Sequence, residues 1–221
     1  MISVLEMYRG STVVVTSPGG DEGAAIRLGQ EIHRRNLKVV VRDYCLGACA
    51  AYVMGSGTST VVAPATLVAF MPNAVGVWPH IEQMSSEHRT PVEHMRRTRQ
   101  EGLDLLSELD LDPQLLLDAT EMSALLCLEF VSLPGGGEGF QYLSAASAWV
   151  PSRAHMEKLG WHISGYWPEN SVEVGLLMAR YMGPGRLGRF GEVPTDYQFK
   201  PRPCRDIGRM RRIGPGDTSP R

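Results

Sequence analysis

A β-branched run, Thr12-Val13-Val14-Val15, stops at Ser17-Pro18-Gly19-Gly20, and a second run, Val39-Val40-Val41, follows after a helical interval. In that interval Ala25, Leu28, Gly29 and Ile32 recur on one helical face, while Arg27, Glu31, Arg34 and Arg35 fall elsewhere. Asp21 and Glu22 occupy the first turn, where the helix dipole favours negative charge, and Asn36 ends the helix. Strand, helix and strand in this order predict a right-handed βαβ unit with parallel strands. The glycine turn leaves one strand, and the small-residue segment Cys45-Leu46-Gly47-Ala48-Cys49-Ala50 ends the other. Together they build a pocket of backbone N–H groups able to hold an oxyanion.

The rest of the chain reads less sharply. Residues 45–54 are small and apolar, as in a helix buried against a sheet, and Thr60-Val61-Val62 and 66–70 read as strands around Pro64. Residues 71–78 read as a loop, 81–102 as a polar, charged stretch and 103–117 as a helix. Residues 123–131 suit a strand or a helix equally, and Pro134-Gly135-Gly136-Gly137 is a break. Residues 145–159 predict a turn into a short helix, Gly160-Trp161-His162-Ile163 a final strand, and 176–181 a helix ending near Gly183-Pro184-Gly185. The fold class expected is α/β.

With 221 residues, 43% hydrophobic and 21% charged, the chain can form one large domain with appendages, and wholesale disorder is excluded. A net charge of −2 argues against a nucleic-acid surface over the whole protein. Only residues 201–221 are basic, with six arginines against two aspartates amid Pro and Gly, which predicts a solvated, mobile arm. No apolar run is long enough to span a membrane. Residues 1–10 include Glu6 and Arg9 and lack a signal core, so the chain as given reads as cytoplasmic. A strand so soon after Met1 raises the expectation of a start further upstream, which would make the protein an exported one. Cys45 and Cys49 are four apart and Cys127 and Cys204 stand alone, a pattern that implies neither a disulfide framework nor a zinc site.

Residues 12–72 resemble the ClpP/crotonase superfamily, in particular bacterial ClpP-like proteins with a Ser-Pro-Gly-Gly turn. Ala148-Trp149-Val150-Pro151-Ser152 through Lys158-Leu159-Gly160-Trp161 is similar to a later segment of that family. The resemblance implies a layered βαβ fold with a mostly parallel sheet over residues 1–165, an extension at 166–200, the basic tail at 201–221, and homo-oligomers. In active members the second glycine of the turn donates an oxyanion N–H, which here is Gly20. A Cys-x-Ser-x-Cys-Ala motif carries the nucleophile and the second donor; its serine position is Gly47 and its donor Ala48. A histidine after an apolar strand is the base, and Met71 stands there. No residue matches the acidic third member.

Serine attack needs an oxygen and a base to take its proton. Glycine has no oxygen, and a thioether accepts no proton at useful pH. The expectation is therefore a catalytically degenerate serine-peptidase homologue that keeps the Gly20 and Ala48 donors and binds a peptide or acyl ligand, with no cofactor, metal or nucleic acid. A hydrolase with a non-standard nucleophile, such as Cys45 or Cys49, is an alternative. A crotonase-type acyl-CoA enzyme is another, because that branch uses the same pocket without a serine. A nucleotide site built on Pro18-x-Gly20-x-x-Gly23 with Asp43 as the ribose acid is weaker, since Asp21 would crowd a pyrophosphate. His80, Glu82, Glu87, His88, Glu93 and His94 tempt a metal reading, but His88 and His94 are six apart and their arginine neighbours suit a salt-linked helix. His33, His155 and His162 read as surface or satisfied core groups, and Ser56, Thr58 and Ser59 as turn residues.

Overall fold

A computed structural model describes residues 10–82, 89–123, 125–133 and 137–192. β1 (Thr12–Ser17) and β2 (Lys38–Leu46) are parallel neighbours, with Val13 opposite Val39 and Val15 opposite Val41. α1 (Glu22–Arg34) crosses between them. Asp21 caps it, its Oδ1 accepting the Ala24 N–H at 2.6 Å. Ile26, Leu28, Gly29 and Ile32 form the buried face. Glu31 and Arg34 pair at 2.6 Å on the outer surface, where such pairs contribute little.

β2 runs past Arg42, where the sequence pattern ends it. Asp43 adopts a left-handed conformation (φ 58°), and the register with β1 shifts so that Ser17 lies opposite Cys45. This bulge is held by the Thr16 hydroxyl, which donates to the Arg42 carbonyl at 2.9 Å. It also divides the partners of β2. Val39–Val41 pair with β3 (Thr60–Val62), and Tyr44–Leu46 pair with β4 (Leu67–Ala69), both parallel. β8 (Ser164–Gly165) joins the far side of β3, giving the order β1-β2-β3-β8 with β4 on the upper half of β2. The fold is α/β with a mostly parallel principal sheet.

Residues 45–54 are not the single buried helix expected. Cys45 and Leu46 finish β2, Gly47 turns the chain, and Cys49–Val53 form a short π-helical segment followed by a 3₁₀ turn at Met54–Ser56. Residues 71–78 are not a loop either. α2 (Ala74–Ile81) begins at Asn73, whose Oδ1 accepts the Gly76 N–H at 3.0 Å. Val75, Gly76, Val77 and Pro79 are poor helix formers, so burial of this apolar segment overrides propensity.

α3 (Arg89–Glu108) and α4 (Gln114–Met122) replace the single helix expected at 103–117, and Asp110 (φ 55°) makes the turn between them. β5 (Leu125–Leu133) settles the ambiguous apolar stretch as a strand, paired antiparallel with β6 (Gly137–Ser144). β7 (Ala148–Val150) and α5 (Arg153–Lys158) follow. The expected strand at 160–163 lies four residues early, since the pairing residues are Ser164 and Gly165.

α6 (Ser171–Met182) starts five residues before its expected span because Asn170 caps it, accepting the N–H groups of Val172 and Glu173 at 3.0 Å. β9 (Gly188–Phe190) then pairs parallel with β7. The segment expected as an extension beyond 165 packs into the main core through Val174, Leu177 and Met178. That core also holds Tyr52, Phe70, Trp149 and Trp161, with Phe70 edge-on to Trp161 at 5.8 Å. The basic tail at 201–221 lies outside the described residues.

Gly29 lets α1 sit directly on the Tyr52 carbonyl, since an added Cβ would overlap that oxygen. Gly29→Ala is expected to cost about 3 kcal/mol by forcing the two elements apart, read as a lower urea midpoint with unchanged slope.

Candidate ligand pocket between two glycine turns

Gly47 makes the sharp turn from β2 into the π-helical segment, at φ +53°. Its N–H donates to the Ala69 carbonyl and its own carbonyl accepts from Ala51 N–H, both at 2.9 Å, so the turn is fixed on either side. A Cβ built on Gly47 would lie 3.3 Å from the Met71 Sδ. Strand, strained turn and helix is the arrangement that holds a nucleophile out over a sheet in many hydrolases. Here the residue at the apex has no side chain, and a thioether stands beside it.

The first glycine turn packs against this elbow. Gly19 (φ +93°) presses on the end of β2, where an added Cβ would stand 2.7 Å from the Leu46 carbonyl oxygen and 3.6 Å from Ala48 N. The Gly19 N–H donates to Ser17 Oγ at 3.2 Å, which sets the turn. Gly20 (φ +123°) comes next and is exposed. Among the described residues, neither the Gly20 nor the Ala48 N–H donates to any protein acceptor. Gly47 and Met71 are thus neighbours, and Ala48 lies against Gly19, one residue before Gly20. An apolar cleft of about 370 Å³ opens beside Gly19, walled by Val15, Ala25, Leu28, Cys49 and Val53.

Two corrections concern cysteine. Cys45 and Cys49 form a disulfide across the elbow, with Cα atoms 5.3 Å apart, and Cys127 is also disulfide-bonded. The spacing of four reads equally well as two positions on one helix, which hid the bridge. Neither Cys45 nor Cys49 has a free thiolate, so neither is the non-standard nucleophile.

Glu22 is a site residue that sequence reasoning missed. It is half-buried, with both carboxylate oxygens near the Ala74 N–H (3.1 and 3.0 Å), and Tyr52 OH donates to Oε2 at 3.1 Å. It therefore ties α1 to the start of α2 and to the π-helical segment. Asn73, beside Ala74, donates to the carbonyls of Met71 and Leu116, both at 3.2 Å. Burial raises the Glu22 pKa, with Asp21 adding to the rise and the hydrogen bonds from Ala74 and Tyr52 opposing it. Burial foremost, then the Glu22 charge, pushes the Tyr52 phenol well up. No local signal separates Glu22 from exposed Asp21.

The remaining candidates scatter. His155 Nε2 meets Asp118 Oδ2 at 2.7 Å, and Gln114 holds the other oxygen at 2.7 Å, so this histidine is a satisfied interior group. His33 and His162 are exposed. Asp43 sits in the β2 bulge rather than at the end of a strand, and Asp21 fills the α1 N-terminus, so the nucleotide reading fails. Glu93 pairs with Arg96 at 2.7 Å and His94 faces Arg97, while Glu87 and His88 lie outside the described residues. No family profile and no curated protein matches this chain.

Two measurements test this architecture. Cys45→Ser with Cys49→Ser should lose about 2 kcal/mol, the chain-entropy value for so short a loop, by chemical denaturation. The Glu22 carboxyl holds its proton more tightly in the native state than in the unfolded chain. Its stabilisation is therefore full below the ordinary carboxyl value of 4.5 and falls as pH rises through the raised native one. Relative to Glu22→Gln, the native protein should lose stability across that window, seen as converging or crossing urea midpoints.

Proposed function

We propose that this chain is a catalytically degenerate relative of ClpP-like serine peptidases that binds a carbonyl or carboxylate through backbone donors. The contact between Gly47 and Met71 at the elbow carries this reading. The two positions that the resemblance assigns to nucleophile and base are neighbours, as chemistry between them would require, and neither side chain can perform it. Electrostatic binding of an oxygen by aimed N–H groups needs no side chain, so loss of the nucleophile leaves that capacity intact.

The ligand is a peptide or acyl group whose carbonyl or carboxylate oxygen takes the Gly20 and Ala48 N–H groups and whose apolar part takes the cleft beside Gly19. A crotonase-type enzyme would need a free carboxylate base. Glu22 lies near the turn, but its oxygens are already engaged by Ala74 and Tyr52, which favours the binding reading. Oxidised cysteines at 45, 49 and 127 favour residence in an oxidising compartment. No helix among the described residues is long and apolar enough to cross a membrane.

A fluorophosphonate probe should leave the native protein unlabelled, and labelling at any serine would overturn the reading. Gly47→Ser with Met71→His should hydrolyse an activated ester about 100-fold faster than Gly47→Ser alone, the usual contribution of a positioned base. Equal rates would mean that the elbow does not align the pair.

A further inference from the structure

We propose that α6 is a self-association surface, on which two copies of this chain pair antiparallel through Val172, Leu176 and Ala179. The helix has two apolar faces, and among the described residues only one is covered. Val174, Leu177 and Met178 point into the core. On the outer side Val172 is 70% exposed and Leu176 68%, with Ala179 exposed one turn on. Leu187, just beyond the helix, is 66% exposed. Three of the five large hydrophobic side chains exposed among the described residues are therefore in this one stretch, which scattered surface residues would not produce.

The spacing is that of a helix-pairing seam. Positions 172, 176 and 179 alternate by four and three, as the a and d positions of a heptad do. Gly175 adds no bulk beside them, since nothing lies within 4 Å of where its Cβ would be. The charges select both the occupant and its direction. Glu173 and Arg180 are seven residues apart, so they fall on the same flank of the seam. In an antiparallel pair the same flanks of both helices face each other, and 173 and 180 lie three and four residues to either side of Leu176. Glu173 of each copy then meets Arg180 of the other, twice, by the twofold axis. A parallel pair would bring no such partners together. Opposed helix dipoles favour the same direction. Within one copy, Glu173 Oε2 accepts only the Glu169 N–H at 2.8 Å, and Arg180 lies over the Tyr181 ring at 4.9 Å. Among the described residues neither makes an ion pair, so both charges are available to a partner. The second copy thus supplies both the apolar cover and the complementary charges. This inference is independent of the pocket at Gly47.

Sedimentation velocity on the full chain, over a range of micromolar concentrations, tests it. The native protein should show a concentration-dependent dimer, and Leu176→Glu should be monomeric with an unchanged circular dichroism spectrum. Glu173→Arg alone and Arg180→Glu alone should each weaken the dimer about tenfold, because each places like charges across the axis. Mixed in equal amounts, those two variants should recover dimer, as only the mixed pair restores both attractions. The double variant Glu173→Arg/Arg180→Glu should also dimerise. A native protein that stays monomeric would overturn the proposal, showing that another part of this chain or a different protein covers the face. A dimer indifferent to Leu176→Glu would place the interface elsewhere, and a mixture no tighter than its components would remove the charge pairing; either result also overturns it.

Discussion

Gly19 approaches the Leu46 carbonyl so closely that no side chain fits between them, and the candidate pocket depends on that approach. It brings the end of one parallel strand's turn against the end of its neighbour, backbone to backbone. The alignment is not automatic. Straight pairing of β1 with β2 would leave Ser17 opposite a residue before Cys45, and the bulge around Asp43 supplies the extra length. Local irregularity in β2 therefore sets which amides stand beside the glycine turn. Bulges are known to re-aim groups in this way next to functional sites.

Around that contact, the polar and covalent links fix walls rather than react. Glu22 joins three elements through one carboxylate. The Cys45–Cys49 bridge closes the loop that contains Gly47 and Ala48. Asn73 caps α2 with its carbonyl oxygen while its amide holds Met71 and Leu116. A pocket that recognises a ligand through main-chain N–H groups has no rotamer to adjust, so its selectivity rests on how firmly these neighbours hold the backbone. Of the three supports, the half-buried Glu22 carboxylate is the one that titrates.

The parts of this arrangement that were legible in the sequence are the local ones. Two β-branched runs and an amphipathic interval specify the βαβ unit, since each signal lies within a few neighbouring residues. The adjacency of Gly47 and Met71 followed from motif positions at the ends of β2 and β4, which pair with each other. Helix α2 was hidden because Val75, Gly76, Val77 and Pro79 oppose helix formation locally, and only packing reverses that preference. The continuation of β2 was hidden because Arg42-Asp43 looks like a strand end. Glu22 resembles any first-turn acid until Tyr52 and Ala74, distant in sequence, close over it.

One edge of β2 serves two ladders. Val39–Val41 face β3, whereas Tyr44–Leu46 face β4, and the left-handed Asp43 separates them. Disturbance of the β4 ladder, which carries Ala69 and leads to Met71, need not propagate through that joint into the β1-β2-β3 framework. The elbow's neighbour and the framework beneath it are thus secured by separate sets of ladder hydrogen bonds.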